Sequence, residues 1–199
     1  MAKITWKPGT MLYPVPPALV SCGTVEKPNA LAVAWTGIVC TDPAMTYVSI
    51  RPSRYSYELI SASGEFVINL TDAALARAAD FCGVRSGRDM DKFAAAGITA
   101  EPASVVSAPM VAESPVSLEC RVKQVLPLGS HTMFLAEILA VHVREDLMEG
   151  DVLHLEKAHL VAYAHGQYYE LGRHIGRFGF SVQKKTKPGH RKNGPWERK

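Results

Sequence analysis

Residues 29–57 contain two short alternating segments, a tight turn between them and a helix start directly after them. In the first segment, alanines alternate with larger side chains such as Leu31 and Trp35, which is the two-residue period of a strand with unequal faces. The same period returns in residues 47–50, beyond the Asp42-Pro43 turn. This stretch therefore predicts two neighbouring antiparallel strands that lead into a helix.

The predicted helix start is rich in groups that bind anions. Pro52 precedes Ser53, which is a suitable N-cap, and Arg51, Arg54 and Ser56 surround the first turn. Free backbone N–H groups and the helix dipole favour an anion at such a position. A capped surface helix with solvated arginines is the alternative, and the adjoining Trp-Thr-Gly strand favours the anion site.

The segment after this helix predicts two further helices outside the sheet. Gly64 ends the first helix, residues 65–70 form a strand, and Thr71-Asp72 caps a helix over residues 73–81 that Gly83 stops. A loop with a short helix follows in residues 84–97, capped by Asp89 or Asp91.

Residues 116–125 and 131–143 alternate over long stretches and are separated by a Pro-Leu-Gly-Ser turn, which predicts a hairpin. Residues 160–163 add a short strand. Neither a Gly-x-Gly-x-x-Gly nor a Gly-x-x-x-x-Gly-Lys-Ser motif occurs in the sequence, which argues against a Rossmann or P-loop nucleotide site. We expect a mainly β fold, an antiparallel barrel with peripheral α-helices.

The order and spacing of several short motifs resemble one known family, the flavin reductase-like FMN-binding split barrels, and within it the flavoredoxin-type branch. The matching pieces are Asn29, Ala34-Trp35-Thr36-Gly37-Ile38, Thr41-Asp42-Pro43, residues 49–57, residues 64–70, Cys82-Gly83, residues 86–89, Asp91-Lys92-Phe93, Gly129-Ser130-His131, Phe134 and Glu137. They cover roughly residues 10 to 165. One departure is Ala44, which stands where many relatives have a second proline.

The resemblance implies a Greek-key antiparallel split barrel with bound FMN. Charge-assisted bonds from Arg51 and Arg54 would hold the phosphate, and Trp35 would lie against the isoalloxazine. Lys92 would stabilise reduced anionic FMN, and His131 would contact the flavin or nicotinamide and is the single catalytic candidate. The expected cofactor-binding set is Asn29, Trp35, Thr36, Gly37, Ile38, Ser49, Arg51, Ser53, Arg54, Ser56, Lys92 and His131.

Three functions share this site. In the first, FMN accepts a hydride from NADH or NADPH and passes electrons to a second acceptor. In the second, a flavoredoxin-type carrier exchanges electrons with protein partners. In the third, a non-redox split barrel binds haem or another ligand, which the Arg51, Ser53 and Arg54 cluster disfavours.

The sequence also predicts the cellular location of the protein. It contains no run long enough to span a bilayer and no hydrophobic signal segment after Met1, so we expect a cytoplasmic protein without a membrane partner. The four cysteines are far apart and form no Cys-x-x-Cys pair, which favours buried thiols over a zinc or dithiol site. No metal is expected.

The positive net charge of +3 comes from the C-terminus. Residues 184–199 hold seven of the 22 Lys and Arg residues and one of the 19 acidic residues, so residues 1–183 carry an acidic excess. We expect an FMN-binding domain over residues 1–183 and a basic tail over 184–199. The tail is expected to be either disordered, above all at its very end, or laid over a partner subunit with Trp196 as an anchor. One terminal cluster does not indicate nucleic-acid binding.

A homodimer is expected from the resemblance and from aromatic residues outside the predicted core. FMN would then lie at or near the subunit interface. The aromatic residues proposed as anchors for a second subunit are Phe81, Phe93, Tyr168, Tyr169, Phe178 and Phe180.

Overall fold

The computed structural model describes residues 1–182, and the basic tail with Trp196 lies outside the described residues. The strands are β1 Ala18–Gly23, β2 Pro28–Val33, β3 Thr36–Thr41, β4 Ala44–Ile50, β5 Glu65–Leu70, β6 Ala100–Glu101, β7 Met110–Val111, β8 Val116–Pro127, β9 Thr132–Val143, β10 Met148–Glu149, β11 Val152–Leu153, β12 Val161–Ala164 and β13 Gln167–Glu170. The α-helices are α1 Tyr55–Ser63, α2 Ala76–Val84 and α3 Lys92–Ala96, and the 3-10 turns are Glu145–Leu147, Leu155–Ala158 and Phe180–Val182.

Seven strands form one antiparallel sheet in the order β2-β1-β5-β8-β9-β4-β3. The two edge strands, β2 and β3, follow each other in the chain and are separated only by Ala34 and Trp35. Such a short connection brings one end of each edge strand together, so the sheet must curl into a barrel. The N–H of Ser49 donates to the carbonyl of Trp35 at 2.9 Å, which extends the β3–β4 pairing by one residue toward β2.

Alternating side chains from the strands fill the barrel interior. Val20 and Cys22 of β1, Val48 and Ile50 of β4, and Phe66 of β5 are all buried there. Phe134 of β9 is fully buried in the same cluster. The expected antiparallel barrel with peripheral helices is confirmed.

The first predicted strand is wrong in its extent. Alternation runs through Trp35, but β2 ends at Val33 and Trp35 lies between two strands with different partners. The closure of the barrel, and not the side-chain pattern, ends the strand there. Two helix boundaries also differ: α1 begins at Tyr55 with Arg54 rather than Ser53 as N-cap, and α2 extends through Gly83.

Other local predictions are confirmed. Gly64 ends α1 with a left-handed φ of 69°, and the side chain of Asp91 caps α3 by accepting from the N–H of Ala94 at 3.1 Å. The two long alternating segments form the β8–β9 hairpin. Residues 161–164 form the short late strand.

Helices α2 and α3 cover the outer face of β1 and β2. Leu19 and Ala30 of these strands pack with Leu75, Cys82 and Phe93 from the helical segment. This packing places the end of α2 and the start of α3 beside the first turn of α1. Phe93 is buried in this cluster, so the expectation that it anchors a second subunit is wrong.

Glu119 of β8 binds the loop that contains residues 104–106 and holds it against the sheet. Its carboxylate is fully buried and accepts hydrogen bonds from the backbone N–H groups of Ser104, Val105 and Val106 at 2.6–2.8 Å. His142 Nε2 lies 2.5 Å from the same carboxylate. Burial opposes ionisation, but the hydrogen bonds from Ser104, His142 and Val106 lower the pKa of Glu119 to about 2. The loop therefore depends on one buried negative charge.

Among residues 1–182, the helices are all too short or too polar to cross a membrane.

Candidate functional site

A pocket of about 220 Å³, here called the anion pocket, lies between the first turn of α1 and the segment that joins α2 to α3. Its walls combine positive side chains with serine and glycine residues, which is the composition of a phosphate site. The lining residues are Leu31, Arg51, Ser53, Arg54, Tyr55, Ser56, Cys82, Arg85, Ser86, Gly87 and Lys92.

Four cations converge on the anion pocket. Arg51, Arg54 and Arg85 form no ion pair with a carboxylate of residues 1–182, and Lys92 is the fourth. Like charges held this close repel one another unless an anion neutralises them. The pocket therefore suits a ligand that carries more than one negative charge.

Lys92 lies at the back of the anion pocket and is 4% exposed. Its Nζ donates to the carbonyls of Ala30 at 2.7 Å and Cys82 at 2.8 Å, so a third N–H remains for a ligand. Burial lowers the pKa of Lys92, the nearby Cys82 opposes this shift, and the charge of Arg54 adds to it. The structure places Lys92, predicted from the resemblance to act on reduced flavin, in the wall of the anion pocket.

Asn29 occupies the innermost wall beside this pocket. Its Nδ2 donates to Ser56 Oγ at 2.7 Å, while Oδ1 is buried without a partner in the described chain. A Cβ on Gly87 would lie 2.0 Å from that Oδ1, so only glycine fits there. An amide oxygen accepts hydrogen bonds only, so a ligand that satisfies Asn29 Oδ1 must bring an O–H or N–H donor.

A second cavity of about 150 Å³, here called the split groove, continues from the anion pocket and shares Leu31, Arg51 and Arg54 with it. It lies where the open edge of β2 faces β4 at the barrel closure. Its other lining residues are Ala32, Val33, Ala34, Trp35, Ser49, Ile50 and His131. Trp35, Ser49 and His131 from the predicted set thus meet here.

The open edge of β2 supplies backbone groups to the split groove. Ala30 uses its outward carbonyl for Lys92, so its pair with Ser21 is the non-hydrogen-bonded kind. Antiparallel pairs alternate, and the N–H and C=O of Ala32 therefore also point away from β1 and toward the groove.

Three predicted contact residues lie elsewhere. Thr36 donates through Oγ1 to the Tyr47 carbonyl at 2.6 Å, and the ring of Tyr47 packs over Gly37, where a Cβ would lie 3.4 Å from Cε1. Ile38 is 84% exposed on the edge strand β3. Thr36, Gly37 and Ile38 therefore line neither the anion pocket nor the split groove.

His131 precedes β9 at the side of the split groove. Its Nδ1 lies 2.9 Å from Ser130 Oγ. Burial and the charge of Arg51 lower the pKa of His131, so the neutral imidazole predominates at pH 7. A neutral ring can offer one N–H donor and one acceptor to a ligand.

An apolar cavity of about 540 Å³ adjoins the split groove and shares Ala34, Trp35 and Ser49 with it. No charged side chain of the described residues lines this cavity, in contrast to the anion pocket. Its other lining residues are Gly9, Thr10, Met11, Leu12, Val15, Tyr47 and Met133.

The cysteines of the described chain are free thiols, and Cys22, Cys82 and Cys120 are buried. Burial raises the pKa of all three, most strongly for Cys120, at about 12. They are therefore protonated at neutral pH, including Cys82 in the wall of the anion pocket.

Sequence reasoning missed Arg85, Ser86 and Gly87 as pocket residues. The run Arg85-Ser86-Gly87-Arg88 combines cations with a small flexible pair, which is a signal for an anion-binding loop. That signal is weak without knowledge that α2 and α3 pack beside α1.

Comparisons with known proteins agree with this architecture. A family model described as the flavin reductase-like domain matches residues 10–172. An uncharacterized protein of Archaeoglobus fulgidus is 35% identical over 139 residues, which are 70% of this chain and 78% of that protein. The range matched by the family model includes the barrel and both cavities.

Two solved structures are similar over most of the chain. The flavoredoxin of Desulfovibrio vulgaris (Miyazaki F) is 33% identical with a TM-score of 0.84, covering 92% of this chain and all of that one. The flavoredoxin of Methanosarcina acetivorans is 26% identical with a TM-score of 0.83 over the same shares. The predicted resemblance is confirmed, and the chain belongs to the family of flavin reductase-like domains.

Proposed function

We propose that this protein is an FMN-binding flavoprotein, with the flavin phosphate in the anion pocket and the isoalloxazine in the split groove. The continuity of the two cavities carries this proposal, because FMN joins a dianionic phosphate to an apolar ring. Arg51, Arg54, Arg85 and Lys92 match the phosphate charge. In this proposal a ribityl hydroxyl donates to Asn29 Oδ1, which has no partner among the described residues.

Each wall of the split groove has its own task in this proposal. Trp35 offers an aromatic surface, and the outward backbone groups of Ala32 offer a donor and an acceptor to the polar edge of the ring system. The guanidinium of Arg51 borders both cavities and favours negative charge in each. Burial and the charge of Arg51 lower the pKa of His131, which favours a neutral imidazole that can donate a hydrogen bond without adding charge.

We propose further that the protein is an oxidoreductase that takes electrons from NADH or NADPH and passes them to a second acceptor. Bound FMN supplies the two-electron chemistry. The apolar cavity beside Trp35 supports this reading, because it leaves room for an uncharged ring next to the split groove. A cytoplasmic location is part of the proposal, since buried free thiols suit a reducing compartment.

A flavoredoxin-type electron carrier is the second candidate. The 33% identity to the Desulfovibrio vulgaris flavoredoxin over nearly the whole chain favours it. A carrier needs the same FMN site but takes its electrons from a protein partner.

Anaerobic titration of the purified protein separates these functions. We expect a yellow protein whose flavin absorbance bleaches with NADH or NADPH in a 1:1 ratio. Bleaching by dithionite but by neither nicotinamide would support the carrier instead. A colourless protein that takes up no added FMN would contradict both candidates.

We also propose a homodimer. Several large apolar side chains that the described chain leaves exposed lie on β3 and the C-terminal segment, including Ile38, Val39, Ile175 and Phe178. Large apolar side chains that a chain leaves exposed are candidates for a protein interface. Tyr168 is less available, because its hydroxyl donates to Asp80 at 3.3 Å and its ring packs on Tyr163.

Light scattering on the FMN-loaded protein should give the mass of two chains. Replacing Ile38 with glutamate should shift the protein toward monomers, because it places a charge on the proposed contact surface. Val152→Glu, on a small exposed hairpin, is the matched control and should leave the mass unchanged. A monomeric wild-type protein at micromolar concentration would contradict the dimer.

A further inference from the structure

One wall of the anion pocket is a loop, residues 85–89, that packs directly against α1 and β2. Arg85, Ser86 and Gly87 line the pocket from this loop. The fit at Gly87 is close, since a Cβ there would lie 2.0 Å from Asn29 Oδ1 and 3.1 Å from Tyr55 Cδ1. A ligand in the pocket is therefore enclosed between α1 and this loop.

Arg88 joins the same loop to α1 by three contacts. Its Nη2 pairs with the carboxylate of Glu58, its Nη1 donates to the Ser53 carbonyl at 3.2 Å, and its guanidinium lies 5.3 Å from the centre of the Tyr55 ring. The loop also supports the arginine backbone, because the N–H of Arg88 donates to Ser86 Oγ at 3.2 Å. These contacts are here called the Arg88 bridge.

The Arg88 bridge lies outside the pocket that it closes. Neither Arg88 nor Glu58 lines the anion pocket, whereas Ser53 and Tyr55 line it on one side and Ser86 and Gly87 on the other. The bridge thus connects the two walls without contacting the space between them. Its effect on a ligand must be through the position of the walls.

We propose that Arg88 is a positioning residue that sets how long a phosphorylated flavin stays bound. This inference rests on the proposed FMN function. A phosphate held by both α1 and the loop loses its contacts with the loop when the loop separates from α1, so contacts that oppose separation slow release. The flavin then remains bound to the protein as a cofactor. A reductase that uses flavin as an exchangeable substrate would instead need fast release.

Replacing Arg88 with alanine should raise the FMN dissociation rate about five- to tenfold, the combined effect of a partly exposed ion pair, a cation–π contact and a hydrogen bond. The rate is measured by diluting the holoprotein into an excess of an unrelated flavin-binding apoprotein that traps released flavin. Riboflavin lacks the phosphate, so its dissociation rate should change by less than about twofold. The association rate of FMN should stay near its wild-type value.

Three variants make the test specific. Glu58→Ala should also speed FMN release, but by less than Arg88→Ala, because Arg88 keeps its contacts with Ser53 and Tyr55. The double variant should show less than the product of the two effects because both changes break the same ion pair. Lys123→Ala removes another exposed ion pair, the 2.6 Å contact with Glu137, and should leave FMN release unchanged. Arg88→Lys keeps the positive charge but loses the planar guanidinium with its several N–H donors. Its FMN dissociation rate should lie between those of the wild type and Arg88→Ala.

Two results would overturn the inference alone: FMN release unchanged in Arg88→Ala, or FMN and riboflavin released faster by the same factor. The second would show a general loosening of the fold. A wild-type protein that binds no FMN would overturn the proposed function and the role of Arg88 together, so the two failures are distinguishable.

Discussion

Arg54→Ala should weaken FMN binding by about 1.5–3 kcal/mol, the usual effect of losing a hydrogen bond to a charged group. The guanidinium borders both cavities, forms no ion pair with a carboxylate of residues 1–182 and belongs to the N-cap residue of α1. It is therefore free to bind a phosphate beside the first helical N–H groups. Isothermal titration of apoprotein with FMN measures the loss directly.

Riboflavin is the ligand control for this prediction. Its affinity should change little in Arg54→Ala, because it lacks the group that the guanidinium binds. Arg77→Ala is the matched protein control, since Arg77 lies on the exposed face of α2 beside a different cavity. Equal losses for FMN and riboflavin would place Arg54 away from the phosphate.

Glu119→Ala should lower the free energy of unfolding by about 3–5 kcal/mol, as expected when one partner of a buried charged network is removed. Three backbone N–H groups of residues 104–106 would lose their acceptor at once, together with Ser104 Oγ and His142. Urea unfolding at pH 7 measures the change. Glu101→Ala, at an exposed carboxylate on β6, should change stability by less than about 0.5 kcal/mol.

The pH dependence follows from the lowered pKa of Glu119. The ordinary glutamate value of 4.5 applies to the unfolded chain, and the folded value is about 2. The unfolded state therefore binds the proton first, and the stabilisation is complete above pH 4.5 and is lost as the pH falls toward 2. The wild-type protein should lose more stability than Glu119→Gln over this interval. Parallel curves for the two proteins would contradict the assignment.

The local features of the fold were predictable from the sequence. The β8–β9 hairpin and the end of α1 at Gly64 follow from side-chain alternation, turn residues and a left-handed glycine, all of which act over a few residues. The position of Arg51 and Arg54 at a helix start was equally local. The FMN proposal depended in addition on the resemblance of ordered motifs, because no single motif is specific.

The remaining site residues depended on contacts between distant parts of the chain. Arg85 and Gly87 reach the anion pocket only because α2 and α3 pack on the outer face of β1 and β2. Lys92 was expected at the site only from the family resemblance, and its burial and its bonds to two carbonyls, one of them 62 residues away, arise only in the folded chain. No pattern near residue 92 contains that information.

The sequence alone determined which segments become strands and helices and which helix start attracts an anion, because side-chain period, caps and turns are short-range effects. Only the tertiary structure decided that the first strand stops at Val33, that backbone groups of Ala32 face the split groove, and that Gly37 is covered by Tyr47. The physical reason is hydrogen-bond pairing in the sheet. An alternating side-chain pattern is compatible with many partner strands. Barrel closure selects one set of strand pairs and leaves the edge of β2 open beside the anion pocket.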